Sequence, residues 1–144
     1  MDRVLGIDLG SRRIGVAVSD GLGLTAQPRS TLARHGGARD MQSIATAVED
    51  VGANRIVLGL PLDPEGKEGP AARRARDFAD KLRAALNLPV DLVDESFSTV
   101  EAEAVLLAAD VSRARRKQVV DKMAAAVILQ RWLDARRGNT EENP

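Results

Sequence analysis

The sequence contains no cysteine among its 144 residues. Disulfide bonds, a thiol nucleophile and cysteine-based zinc sites are therefore excluded. The absence of cysteine also fits a reducing compartment. A chain of this length buries about 68–70% of its unfolded surface, so it can fold as one ordinary domain without covalent cross-links.

Aromatic residues make up only 2% of the sequence, namely Phe78, Phe97 and Trp132. Proteins that bind single-stranded nucleic acids by stacking need several aromatic side chains. Any nucleic-acid recognition is therefore expected to use backbone and shape, which favours structured RNA or branched DNA. The single histidine, His35, cannot by itself supply a zinc site or a histidine-based catalytic triad.

Charge of neither sign is in excess, since Lys+Arg and Asp+Glu each number 21. The overall charge therefore indicates no partner, and any case for nucleic acid must rest on local clusters. No apolar run approaches the roughly 18 residues of a membrane-spanning helix. The first residues, MDRVLGIDLG, also lack the features of a signal peptide. We expect a soluble, cytoplasmic protein with no membrane partner.

Hydrophobic periodicity predicts an α/β domain with a mixed sheet of about five strands. Strands are expected at 3–9, 13–19, within 24–32, 55–61 and 90–95, and helices at 39–51, 71–86, 98–109 and 113–136. Pro28 indicates that the third strand lies at the sheet edge. The unbroken apolar run at 55–61 indicates a strand buried on both faces. We expect residues 1–137 to form a single domain and 138–144 a disordered tail.

Acidic residues end two of the predicted strands, and another lies on the last helix. Asp8 ends the first strand, and Asp94 and Glu95 end the last one. Asp121 begins the apolar face of the final helix, where small residues at 124–126 allow close approach to the sheet. Functional groups gather where parallel strands end, so these acids are expected to converge there.

Converging carboxylates repel one another, and divalent cations relieve that repulsion. Two Mg²⁺ or Mn²⁺ ions about 3.5–4 Å apart would activate water and stabilise the leaving oxygen in phosphodiester cleavage. Each acid alone also has a simpler interpretation. Asp8 could be an ordinary turn residue. Asp94 could form an ion pair with an arginine while Glu95 is exposed to solvent. Asp121 could form an ion pair on the surface of the helix.

Several segments together resemble the YqgF family, bacterial RNase H-like proteins described as pre-16S rRNA nucleases and as similar to Holliday junction resolvases. The segments are GIDLGSRRIGVAVSD, IVLGLPL, VDES with FST, and KQVVDKMAAAVILQRWL. They occur in the family's order and extend from about residue 3 to residue 133. The resemblance implies an RNase H-like fold and a metal-dependent endonuclease.

The resemblance also assigns catalytic and metal-binding roles to Asp8, Glu95 and Asp121, and it prefers Glu95 to Asp94. One position departs from the family pattern, because Ser96 stands where the family usually has an arginine. That change puts the contact with phosphate at this edge in doubt. Arg12, Arg13 or Lys117 is a hypothetical substitute for the missing arginine.

A basic segment, RARRKQVVDK, covers residues 113–122 and surrounds Asp121. Unpaired positive charge at a helix N-terminus opposes the helix dipole, which indicates an anionic partner, although many such charge runs are simply solvated. We predict that backbone phosphates of a nucleic acid are bound here. The predicted contacts are Arg12, Arg13, Arg113, Arg115, Arg116, Lys117 and Lys122.

Three functions remain open from the sequence. The first is an endonuclease on structured nucleic acid, with pre-16S rRNA as the first substrate and a four-way DNA junction as the second. The chain could be a monomer or a homodimer, and junction resolution requires a dimer. The second is a nucleotide-binding module, because the first segment also resembles the phosphate-1 loop of the actin and sugar-kinase fold. The third is a non-catalytic RNA-binding factor.

Overall fold

The computed structural model describes residues 3–95 and 113–142, with side chains described over 3–95 and 120–137. The predicted helix at 98–109 and Ser96 lie outside the described residues. The strands are β1 (Val4–Leu9), β2 (Arg13–Ser19), β3 (Ala26–Ala33), β4 (Arg55–Leu60) and β5 (Val90–Asp94). The helices are α1 (Gly37–Val51), α2 (Pro70–Leu86) and α3 (Arg113–Glu142).

The strands form one five-stranded mixed sheet in the order β3-β2-β1-β4-β5, as predicted. β1, β2 and β3 pair antiparallel, whereas β4 pairs parallel with both β1 and β5. β3, which contains Pro28, lies at the edge, so that prediction is confirmed. The carboxyl ends of β1, β4 and β5 consequently lie at the same edge of the sheet.

Both faces of the sheet are buried in apolar contacts. On one face, Leu5 and Ile7 of β1 belong to a core cluster with residues of α1 and α2. On the other face, Val4 and Val57 pack with the apolar side of α3. β4 contributes to both clusters, which confirms the prediction that it is buried on two faces.

Helix ends differ from the predictions by a few residues. α1 begins at Gly37, two residues before the predicted start, and α2 begins at Pro70, a residue suited to a first helical turn. α3 continues to Glu142, past the predicted end at 136 and into the expected disordered tail. Gly138 does not stop it, since a glycine costs a helix only about 1 kcal/mol relative to alanine. Over the described residues, no helix has the length and apolar character needed to cross a membrane.

Two glycines allow α3 to lie directly on the sheet. A Cβ at Gly6 of β1 would lie 2.7 Å from the Cβ of Leu129. A Cβ at Gly15 of β2 would overlap the backbone carbonyl of Asp121. Because Gly15 pairs with Asp8 in the β1–β2 ladder, this close approach brings α3 to the position of Asp8.

Replacing Gly15 by alanine is expected to destabilise the protein, because the added methyl group meets backbone rather than a movable side chain. We expect a loss of about 1–3 kcal/mol in the free energy of unfolding. Urea denaturation measures it, with Gly21→Ala as the control, since a Cβ at Gly21 meets nothing within 4 Å. Equal losses in the two variants would contradict the close packing of α3 on β2.

Candidate active site

Asp8 is a buried carboxyl at the carboxyl end of β1. It is only 6% exposed, although it follows four residues that are apolar or glycine. Strand alternation places its side chain on the face shared with Val4 and Gly6, which is the face covered by α3. The structure thus places this sequence-predicted acid between the sheet and the helix.

Glu95 follows β5 and is hydrogen-bonded to Asp8 through its side chain. Its backbone N–H donates to the carbonyl of Leu60 over 3.1 Å, which fixes the chain as it leaves the sheet. A Cβ at Gly59 would overlap the Glu95 carboxyl, so this glycine provides the space for it. Asp94, the neighbouring acid, is exposed instead.

Burial shifts the acid–base properties of both carboxyls. Burial raises the pKa of Asp8 to about 6, the Glu95 hydrogen bond opposes this shift, and the negative charge of Asp121 adds to it. Burial also raises the pKa of Glu95 to about 9, reinforced by the charge of Asp8 and by their hydrogen bond. Glu95 therefore keeps a proton at neutral pH and donates it in a hydrogen bond to Asp8.

Asp121 lies on α3 and forms an ion pair with Arg13 at the start of β2. The Arg13 Nε donates to Asp121 Oδ2 over 2.7 Å, and the Asp121 side chain is 16% exposed. Its charge acts on Asp8, so the predicted convergence at this edge includes all three acids. Arg13 is also predicted to contact nucleic acid, and that contact stays a prediction beside this ion pair.

The donor chemistry suits a hard divalent cation, but the geometry is not that of an assembled metal site. Across residues 3–95 and the described part of α3, no three Asp, Glu, His or Cys side chains are grouped closely enough to hold a metal ion. Three carboxylates are nevertheless the ligand type that Mg²⁺ and Mn²⁺ prefer. The Arg13 guanidinium occupies one oxygen of Asp121, so a cation shared by all three acids must compete with Arg13.

The structure describes only some of the other side chains that are predicted to contact nucleic acid. Arg12 is exposed in the β1–β2 turn, and Lys122 is half-buried beside Asp121. The backbone of the remaining basic residues belongs to α3, and their side chains lie outside the described part of the chain. These residues are Arg113, Arg115, Arg116 and Lys117.

Two features of the site were missed in the sequence. Gly59 stands inside the apolar run of β4, and an isolated glycine in a strand is a signal of close approach that could have identified it. Arg131 of α3 donates to the carbonyl of Asp94 over 3.1 Å, and its charge lowers the pKa of Glu95. Nothing in the sequence distinguishes Arg131 from other arginines of the helix. Arg131 brings positive charge to Glu95. The family usually has an arginine directly after this glutamate, and this sequence has Ser96 there.

Comparison with known proteins shows the family of this chain. The family model described as "RuvX: Holliday junction resolvase" matches residues 2–135. The chain belongs to the RuvX (YqgF) family. A relative from Myxococcus xanthus, named "Putative pre-16S rRNA nuclease", is 53% identical over 135 residues, covering 94% of this chain and 89% of the relative. A relative of the same name from Geobacillus kaustophilus is 49% identical and covers 94% and 99%.

Solved structures support the fold of this RuvX-family chain. RuvC of T. thermophilus in complex with a Holliday junction substrate has a TM-score of 0.56 at 16% identity, covering 96% of this chain and 97% of that chain. The Fowlpox virus resolvase with its junction DNA has a TM-score of 0.60 at 10% identity, covering 92% and 97%. At these identities the similarity concerns the fold, and the predicted RNase H-like fold is confirmed.

The raised pKa values predict how stability depends on pH. The folded protein holds protons on Asp8 and Glu95 that the unfolded chain releases near pH 4. The contribution of these protons is complete below about pH 4 and is lost as pH rises to about 9. In the metal-free protein, Glu95→Gln should remove most of that decrease in stability, because the Glu95 pKa shifts further than the Asp8 pKa and glutamine has no titrating proton.

Urea denaturation in chelator across this pH range measures the effect. The exposed acid Glu49 provides the control, because Glu49→Gln removes a carboxyl without touching the Asp8–Glu95 pair. A wild-type stability that rises with pH in this interval would contradict the assigned protonation.

Proposed function

We propose that this protein is a divalent-metal-dependent endonuclease that acts on structured nucleic acid. Asp8, Glu95 and Asp121 are its catalytic, metal-binding residues. One observation carries the proposal: two buried carboxyls are in hydrogen-bond contact at the carboxyl edge of the sheet, and the charge of a third carboxylate, Asp121, acts on Asp8. Burying carboxyls costs free energy, and carboxyls with strongly shifted pKa values in one cluster are candidates for a functional site.

The chain's own residues account for most of the proposed mechanism. Asp8 and Glu95 hold one proton between them at neutral pH, and a divalent cation bound by these acids would take the place of that proton, which would pass to water. Arg13 keeps Asp121 oriented through their ion pair, and its guanidinium would pair with a substrate phosphate if a cation displaced it from Asp121. Bound Mg²⁺ or Mn²⁺, in the two-ion form, would supply an activated water and a stabilised leaving oxygen. The close packing of α3 holds Asp121 in range of Asp8 throughout.

Precursor 16S rRNA is the proposed first substrate. The relatives from Myxococcus xanthus and Geobacillus kaustophilus, which are 53% and 49% identical to this chain, are both named "Putative pre-16S rRNA nuclease". The chain covers 89% and 99% of their lengths. We place this activity in the cytoplasm, as expected for ribosome maturation. A four-way DNA junction is the second candidate, favoured by the family description and requiring a homodimer with two active sites.

Asp8→Asn and Asp121→Asn should each reduce cleavage at least ~100-fold, because a neutral amide binds a hard cation more weakly than a carboxylate and supplies no negative charge. Cleavage of a precursor 16S rRNA fragment and of a four-way junction is measured with Mg²⁺, Mn²⁺ or chelator. Asp94→Asn is the matched control, since Asp94 adjoins Glu95 but is exposed. Chelator should abolish cleavage by the wild type.

The outcomes separate the candidate functions. Metal-dependent cutting that is lost in the two variants supports the nuclease, and the preferred substrate chooses between RNA processing and junction resolution. Full activity in Asp8→Asn would refute the assigned site. Binding without cutting by the wild type under every metal condition would favour the non-catalytic RNA-binding factor.

A further inference from the structure

A cavity of about 300 Å³ opens at the same strand ends as the acids but on the α2 side of the sheet. Its floor is apolar and includes Leu9, Pro61 and the buried ring of Phe78. Its rim carries the exposed cations Arg74 and Lys81, both from α2. A concave site with an apolar floor and a few charged groups at its rim is a typical ligand site.

Arg34 forms a fixed wall of the cavity. Its Nε donates to Asp40 Oδ2 over 2.9 Å, and its Nη1 donates to the carbonyl of Gly10 over 2.8 Å. Its guanidinium also lies 5.7 Å from the centre of the Phe78 ring. Asp40 is only 1% exposed, so this ion pair is largely protected from water. The wall is therefore ordered before any ligand arrives, and the charge of Arg34 is already compensated.

The charges of Arg74 and Lys81 are not compensated in this way. Within the described part of the chain, neither forms an ion pair, whereas Arg76 and Arg83 of the same helix are paired with Glu68 and Asp80. A separation of seven residues places Arg74 and Lys81 on one face of α2, about 10 Å apart along its axis.

One acid reduces the positive potential of this rim. Asp77 lies between the two cations on the same helix and also lines the cavity. Two cations against one acid leave a net positive charge at the cavity mouth. An anionic ligand is therefore favoured over a cationic one.

The cavity and the acidic site share their supporting backbone. Asp8 and Leu9 are consecutive in β1, and alternation directs them to opposite faces of the sheet. The carbonyl of Leu60 accepts the Glu95 N–H, and the next residue, Pro61, lines the cavity. A polymer that crosses the tips of β1 and β4 would therefore reach both sites.

We propose that this cavity is a second binding site for the nucleic-acid backbone, in which Arg74 and Lys81 each hold a phosphodiester of the substrate away from the cut position. The inference rests on the proposed function for the identity of the polymer. The apolar floor accommodates a sugar, and the Gly10–Ser11 turn borders the path between the two sites. The ligand is anionic, extended and continuous with the strand at the acids.

Binding is measured by fluorescence anisotropy in chelator, so that cleavage does not interfere. The probes are a four-way DNA junction and a precursor 16S rRNA fragment. The double variant Arg74→Ala/Lys81→Ala should weaken binding on the order of tenfold at low salt. The plot of log binding constant against log salt concentration should become shallower by about 2 units of slope, because two phosphate contacts are lost.

The control is Arg39→Ala/Arg73→Ala, which removes the same charge from exposed positions on α1 and α2 that do not line the cavity. Arg73 adjoins Arg74, and the two control side chains also carry no ion pair among the described residues. Asp77→Asn should have the opposite effect and strengthen binding, because it removes a negative charge that lies between the two cations at this rim.

Equal weakening by the two double variants would overturn the inference, since it would show a general charge effect. Unchanged binding in Arg74→Ala/Lys81→Ala would overturn it as well, as would a wild type that binds neither probe. Failure of the nuclease proposal gives a different result. The wild type would then cleave neither probe with any metal, while Arg74→Ala/Lys81→Ala, and not the control double variant, would still bind more weakly in chelator.

Discussion

The contact between Asp8 and Glu95 is the interaction on which the site depends. Two carboxyls at the ends of β1 and β5 meet in a place that water hardly reaches, and they remain there by sharing a proton. Their contact requires the parallel arrangement of β1, β4 and β5, because only that arrangement brings those strand ends to one edge. The pair is unstable as two anions, which makes it a strong acceptor of an added cation. Arg131 and Arg13 supply positive charge at the Glu95 and Asp121 ends of the cluster.

Three glycines are as important to this site as the residues that carry side chains. Gly6 and Gly15 let the backbone of α3 approach the sheet, and Gly59 leaves room for the Glu95 carboxyl. Each lies on the α3 face of a different strand, beside side chains such as Val4 and Val57 that pack against the helix. On the opposite face, large residues such as Leu5 and Ile7 fill the space beneath α1 and α2. Both faces of the sheet thus carry a hydrophobic core, and the α3 face in addition positions Asp121.

Much of this arrangement could be predicted from the sequence because it follows from local patterns. The apolar run of β4, Pro28 in β3 and the acid at the end of β1 each indicate a position in the sheet, and the structure agrees with all three. The pairing of Arg13 with Asp121 could not be predicted, because the residues are 108 positions apart and only the packing of α3 brings them together. The same holds for Arg131, which looks in the sequence like any exposed helical arginine. The roles of Asp8, Glu95 and Asp121 in metal binding remain predictions.

Calorimetric titration of the protein with Mn²⁺ tests the central claim most directly. It is performed near pH 7.5 in two buffers that differ in ionisation enthalpy, which reveals any protons released on binding. The account predicts that Mn²⁺ binds and displaces protons from the Asp8–Glu95 pair, and that Glu95→Gln abolishes most of this release. Absence of Mn²⁺ binding, or binding of equal strength and proton release in Glu95→Gln, would contradict the assignment of these acids as a divalent-cation site.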